Sequence, residues 1–356
     1  MSHDFVTALQ LQLREAALRE ERRSPLRRAL ARPPGGALAA AVAIAILLAL
    51  VVAVGGLDWG DRAERQAAPR VVANFQLAPT LGQVDAGFGS MWVADDTNGR
   101  LLRVDPRSRE VQRTVPIGDA FTLAAGAGAV WTFDAPGRLA RIDPRTNRIT
   151  SRRQLWPDLR RRGVTIAQSF GVAIARGVPW VLTSKGALRI DPATGEAAGF
   201  IRIPGGDPRF VTIADDGLWV LTRDARVLSV DLDSGRQTAS LPVRLQDALA
   251  LVPTPAGPIL LTADGRIARA ALSDGRLAWS REVSAGFTAP PVQIGGALWI
   301  HAVGDATPDR LIAFDVATGA TRSETRLPEF GATGAARVGG DLWITTPTGK
   351  VMVIRR

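Results

Sequence analysis

The 356 residues are 46% hydrophobic and 22% charged, a globular balance with ample apolar material for a core. With no Cys, the chain can form no disulfide, thiolate metal site or cysteine nucleophile. Its formal charge of +10 comes almost wholly from Arg, because only Lys185 and Lys350 among 44 basic residues are lysines. With no basic helical stripe and no nucleic-acid module, nucleic acid is not an expected partner.

Residues 1–36 read as a basic cytoplasmic leader. Over 4–23 a helix is predicted, with Phe5, Leu9, Leu13 and Ala17 on one face and Glu15 one turn before Arg19. Pro25, Pro33, Pro34, Gly35 and Gly36 end it. Residues 37–57 follow, 21 residues without a charge, enough for a transmembrane helix about 31 Å long. Seven Arg precede this run, whereas the linker 58–70 holds three acids and three bases. That asymmetry predicts a single-pass plasma-membrane protein with a cytoplasmic N-terminus and everything after residue 57 outside. The length of the leader and of the apolar run favours an uncleaved anchor over a cleaved signal peptide. Ala37, Ala41, Ala45, Ala49 and Ala53 recur every four residues, a small-residue face suited to a homodimer.

Residues 71–356 carry an internal repeat. Trp92, Trp131, Trp180, Trp219, Trp299 and Trp343 each follow a turn glycine by two or three residues, and Gly257-Pro258-Ile259 fills a seventh such slot. Eleven to sixteen residues after the Trp come Asp105, Asp143, Asp191, Asp231 and Asp315, each opening a turn, with Ala271 in the fifth copy. The unit is therefore a strand, a Gly turn, a strand with the Trp, a strand ending at the Asp, and a fourth strand. That describes one blade of a β-propeller. The Asp is placed to cap its own turn. The fold class expected is all-β, a seven-bladed β-propeller of four-stranded blades, preceded by the cytoplasmic and transmembrane helices. The last copy lacks its fourth strand, and residues 71–77 supply a strand to close the ring.

Ile142-Asp143-Pro144-Arg145-Thr146-Asn147 and Ile190-Asp191-Pro192-Ala193-Thr194-Gly195 resemble the YVTN-type propeller repeat. Gly265-Arg266-Ile267-Ala268 with Asp274-Gly275-Arg276-Leu277-Ala278-Trp279 is similar to repeats of PQQ-like propellers, and the Gly-x-x-Trp strands resemble virginiamycin B lyase-like propellers. The resemblance covers roughly 71–356 and implies the fold; these families differ in activity.

A site should break the repeat, and few residues do. His301 replaces an apolar side chain two residues after its Trp and is the one candidate for imidazole chemistry; a packed, satisfied histidine is its other reading. One His in the domain cannot build a His-rich metal centre, and no metal or other cofactor is expected. Three residues after the Trp, six of seven slots hold Asp or Thr, a pattern of turn capping. The acid pairs Asp95-Asp96 and Asp215-Asp216 lack the ligand spacing of a calcium site. The step from Trp131 to Trp180, about nine residues longer than the repeat, holds an insertion with Trp156 and Arg160, Arg161 and Arg162, an aromatic beside a basic cluster and so a candidate binding loop. Residues 71–356 hold 34 basic and 27 acidic residues, which favours an anionic ligand or surface. The expectation is a membrane-anchored extracytoplasmic module that binds a ligand or protein of a bacterial envelope. The alternative is a propeller enzyme of the lyase-like or quinone-dependent class.

Overall fold

The computed structural model describes residues 69–355 except 119, 135–136, 166–168, 206, 244, 246, 284–285, 288–289 and 305–306. These residues form seven antiparallel sheets, each a meander in which neighbouring strands pair. Blade one runs Val84–Gly87, Ser90–Asp95, Arg100–Val104, Val111–Pro116. The innermost strands of the next five blades are Ala120–Gly126, Ser169–Ala175, Pro208–Ala214, Ala248–Val252 and, in two pieces, Gly286–Phe287 with Val292–Ile294. Their outer strands are Arg148–Gln154, Ala197–Arg202, Gln237–Pro242, Leu277–Glu282 and Thr321–Arg326. Blade seven runs Gly334–Val338, Asp341–Thr345, Lys350–Arg355 and takes its outer strand from Arg70–Gln76, paired antiparallel from Arg70 opposite Arg355 to Gln76 opposite Lys350. In such a meander the second turn of each blade and the connection to the next blade share one face of the ring. The first and third turns share the other.

The expected architecture, location and membrane partner are corrected here. The described residues form an all-β seven-bladed propeller, and among them no helix is long and apolar enough to cross a membrane. The α-helix found among them, α1 (Trp156–Arg161), has six residues, far short of the roughly 20 a span requires. The leader 1–36, the run 37–57 with its Ala37, Ala41, Ala45, Ala49 and Ala53 face, and residues 58–68 lie outside the described residues. The single-pass plasma-membrane topology and the homodimer through that face have no support among the residues described.

The second strand of each blade is buried along its length because sheets cover it on both faces. Its Trp points into the seam with a neighbouring blade. Trp92 Nε1 donates to Gly87 O (3.2 Å) and Trp131 Nε1 to Gly126 O (3.1 Å), closing the hairpin that the turn glycine opens. The guanidinium of Arg103 lies 5.3 Å from the centre of the Trp92 ring, and that of Arg141 5.8 Å from Trp131. Each then reaches the next blade: Arg103 donates to Asn147 Oδ1 (3.0 Å) and Arg141 Nε to Pro192 O (2.9 Å).

The third turn of five blades is held by an Asp: Asp105, Asp143, Asp191, Asp231 and Asp315. Asp105 accepts from the N–H of Arg107 and Ser108, Asp143 from Arg145 and Thr146, and Asp191 from Ala193 and Thr194. These backbone donors hold the carboxyls of Asp105, Asp143 and Asp191 below the usual carboxylate range. Burial raises Asp315, but its hydrogen bonds with Arg322 and Thr318 win and bring it to about 2. Ala271 forms the same backbone turn without a carboxylate, with Ala271 N bonded to Arg276 O (2.8 Å) and Gly275 N to Ala271 O (3.0 Å). The left-handed position of this turn is Gly195, Gly235, Gly275 and Gly319 in four blades but Arg109 (φ 64°) in blade one.

Two substitutions should therefore stabilise the fold. Ala271→Asp supplies the missing cap and raises the urea midpoint, and Arg109→Gly relieves a left-handed side chain worth about 1 kcal/mol. The stability that the capped carboxyls contribute is present above about pH 4 and is lost as pH falls through their lowered folded values, which acid titration of unfolding will show.

Candidate functional site

The insertion leaves blade two after Gln154 and crosses to blade three on the face that carries the second turns. Pro157 sits in the first turn of α1, and Leu159 N closes it on Leu155 O (3.0 Å). Gly163 (φ 78°) lets the chain turn out of the helix. Leu155, Leu159 and Val164 are buried in one cluster with Trp131, Phe133, Val172 and Leu188, so the insertion fills the seam between blades two and three.

The structure separates the residues that the sequence groups here. Trp156 is half-buried and packs on that apolar cluster. Arg160 and Arg161 are exposed. Arg161 pairs with Asp158 (2.7 Å), while Arg162 donates to Asp158 O (2.8 Å) and stacks 5.4 Å from the centre of the Phe200 ring. Arg202 approaches the same ring at 5.9 Å. Lys185 is exposed and adjoins Arg202, because Ile203 N bonds Lys185 O and Gly186 lies opposite Arg202. The aromatic centre of this basic cluster is therefore Phe200, which no motif marks. The available signal was a Phe followed by Arg in an outer strand, where other blades place polar residues. Among the described residues Arg160, Lys185 and Arg202 enter no salt bridge.

The polar residues that break the repeat elsewhere are buried. His301 lies in the second strand of blade six, and its Nε2 meets Asp309 Oδ2 at 2.9 Å; both side chains are closed to solvent. The same Asp309 oxygen accepts from Gly331 N (2.7 Å) in the connection to blade seven. His301 is thus packed in a seam, out of reach of a substrate. Asp85 stands opposite Trp92, where the equivalent residues Ala124, Ala173 and Ala336 are small and apolar. Its carboxylate accepts from Ala86 N (2.7 Å) and from Ala125 N of blade two (2.8 Å). Burial outweighs those two bonds and pushes its carboxyl up to about 6.

The slot three residues after the Trp caps the second turn. Asp134 accepts from Arg138 N (2.7 Å), and Thr222, Thr262 and Thr346 accept from the N–H of Arg226, Arg266 and Lys350. Asp95 holds Arg100 and Asn98, Asp215 accepts from Arg176 N, and Asp216 from Trp219 Nε1. Among the described residues no group of three or more His, Cys, Asp or Glu could hold a metal ion. Among the described residues His301, Asp309 and Asp85, the reactive side chains that depart from the repeat, are all buried.

No family model matches the chain, and no curated protein matches it. Many solved structures do, 1559 chains in all, which marks a widely used fold and not one activity. One is the crystal structure of BamB from Moraxella catarrhalis, at 13% identity and a TM-score of 0.57, over 81% of this chain and 100% of that one. At that identity the likeness concerns the fold.

Removing Asp309 takes the carboxylate from His301 and the acceptor from Gly331 N, so Asp309→Ala should cost about 1–3 kcal/mol in chemical denaturation. Asp85 gives the protein a distinct pH response. Above about pH 6 both folded and unfolded chains hold it ionised, and the folded state bears the burial cost. Stability should rise by about 3 kcal/mol as pH falls from about 6 to about 4, following a carboxyl moved from 3.8 to about 6. Asp85→Asn should remove that contribution and leave the one from Asp96, whose carboxyl burial and the neighbouring Asp95 also push up to about 6.

Proposed function

We propose that the protein is a non-enzymatic scaffold that binds an acidic ligand or protein through the insertion between blades two and three. The single observation that carries this reading is a sorting by exposure. Reactive departures from the repeat, His301, Asp309 and Asp85, are buried, while the departures left in solvent include the exposed Arg160 and Arg161 of α1. Cations on a short loop over a rigid framework suit recognition. Arg160 and Arg161 would meet the partner directly. Arg162 and Trp156 would act from behind, fixing the loop by stacking and packing. The excess of 34 bases over 27 acids in residues 71–356 would draw such a partner in. The Ile-Asp-Pro turns at Asp143 and Asp191 further support membership of the YVTN-type propeller repeats.

A photo-crosslinking amino acid placed at position 160 of the full-length protein, in its native cells, should capture a discrete partner. The same group at Arg145, exposed on the opposite face, should not. Charge reversal by Arg161→Glu with Arg162→Glu should weaken capture at 160 about tenfold. Equal capture from both faces, or capture indifferent to charge reversal, would show that the insertion is not the binding site.

A further inference from the structure

Each blade leaves one strand edge open at the rim of the ring. Such an edge is a template for another strand unless charge, proline or side-chain cover blocks it. Blade one has Arg113 and Pro116 in its outer strand, blade two Arg148, Arg152 and Arg153, and blade four Pro242. Blade five has Arg281 and Glu282, and blade six Arg322, Glu324 and Arg326. Blade seven begins its outer strand with Arg70, and its Asn74 and Gln76 side chains are tied down to Glu329 (2.7 Å) and Thr348 O (2.8 Å). Blade three differs. Ala197–Arg202 reads Ala-Ala-Gly-Phe-Ile-Arg, with no charge before its last residue and no proline.

The register fixes which backbone groups face outward. Ile203 N donates inward to Lys185 O, and Ile201 and Gly199 stand opposite Ala187 and Arg189. Alternation along an antiparallel ladder therefore turns the N–H and C=O of Phe200 and Arg202 away from the blade. At this end of the edge the charge is positive. Arg162 and Arg202 stand 5.4 and 5.9 Å from the Phe200 ring centre, Lys185 adjoins Arg202, and neither Lys185 nor Arg202 has an acidic partner among the described residues.

We propose that the outer strand of blade three takes an extended acidic segment of a partner protein as a fifth strand. Phe200 and Arg202 offer it the outward main-chain bonds, and Arg162, Lys185 and Arg202 receive its carboxylates. This rests on the binding role proposed above and specifies the partner's chemistry. Main-chain pairing supplies affinity for any extended segment, and the cations choose an acidic one. A six-residue edge accommodates about 20 Å of extended chain.

The test titrates full-length protein with a fluorescent peptide of alternating Glu and Val, read by anisotropy, and follows amide hydrogen exchange at residues 197–202. The expected result is saturable binding that slows exchange at the Phe200 and Arg202 amides. Lys185→Glu with Arg202→Glu should weaken it about tenfold without moving the unfolding midpoint, since both side chains are exposed. Binding with no slowing at those two amides overturns the fifth strand and leaves the binding role standing. Binding of inorganic polyphosphate but not of the peptide overturns it in favour of a polyanion held by the cations alone. Failure of both probes, with crosslinking at position 160 indifferent to charge, overturns the binding role as well.

Discussion

The indole of the second strand sets the spacing of the ring. Two sheets stacked face to face need about 10 Å of side chain between them, and one Trp per seam fills much of that gap. The ring is then held in register by what touches its far side. Arg103 covers Trp92 and reaches the Asp143 turn, and Arg141 covers Trp131 and reaches the Asp191 turn. In blades one and two one arginine thus couples the core of a blade to the capped turn of the next, whereas Ser229, Ala313 and Val353 stand opposite the Trp of blades four, six and seven. The blade without the Trp confirms the volume requirement. Ile259 fills its slot, and the missing bulk returns as Trp279 in the outer strand, whose Nε1 donates to Val316 O of blade six (3.2 Å). Gly319 lies under that indole, where a Cβ would stand 2.5 Å from the ring. A left-handed glycine is thus required there by contact as well as by φ.

This recurrence is why the propeller is legible in the sequence. Trp, turn Gly and turn Asp are fixed by local geometry and by one neighbour, so they repeat, and the turn Gly can be counted seven times, the Trp six and the Asp five. The groups that work across a seam do not repeat. Asp309 and Phe200 belong to no motif, and they gain their roles only when His301 and Arg162 are brought to them from other segments. Trp156 shows the converse. Adjacent in sequence to the Arg cluster, it is turned by the first turn of α1 into the apolar seam, while the cations point outward. A loop sequence gives the residue types but not which of them the helix buries.

Buried polar residues occur around the ring, and Thr122 accepts from Val172 N across the seam of blades two and three (3.1 Å), but four others gather near the ring closure. Asp309 binds Gly331 across the seam of blades six and seven. Gln83 donates to Thr333 O (3.1 Å), and Thr345 Oγ1 to Gly82 O (2.9 Å), across the seam of blades seven and one. Asp85 binds Ala125 N across the seam of blades one and two. All border or adjoin the sheet in which Arg70–Gln76 pairs with the strand Lys350–Arg355 at the far end of the chain. Closing that ring brings together strands with no short turn to set their register, so a slip is resisted by packing and by bonds across the seams. Directional hydrogen bonds between buried groups do resist it, at the desolvation cost that Asp85 shows.

That location separates two kinds of departure from the repeat. At the closing seams the departures are polar, buried and paired, which is what a register lock requires. At the seam of blades two and three the departure is an added segment. Its apolar side chains complete the core, and its cations remain in solvent. A structural insertion needs only the first of these. Leu155, Leu159 and Val164 would fill the seam equally well beside neutral residues, and three consecutive arginines served by a single nearby acid, Asp158, raise the local positive potential without strengthening the packing. The uncompensated charge gathers beside the outer strand that lacks its own protection. The two features together place unpaired cations and an unprotected strand edge in one sector of the rim, which is the ground on which the binding role is proposed.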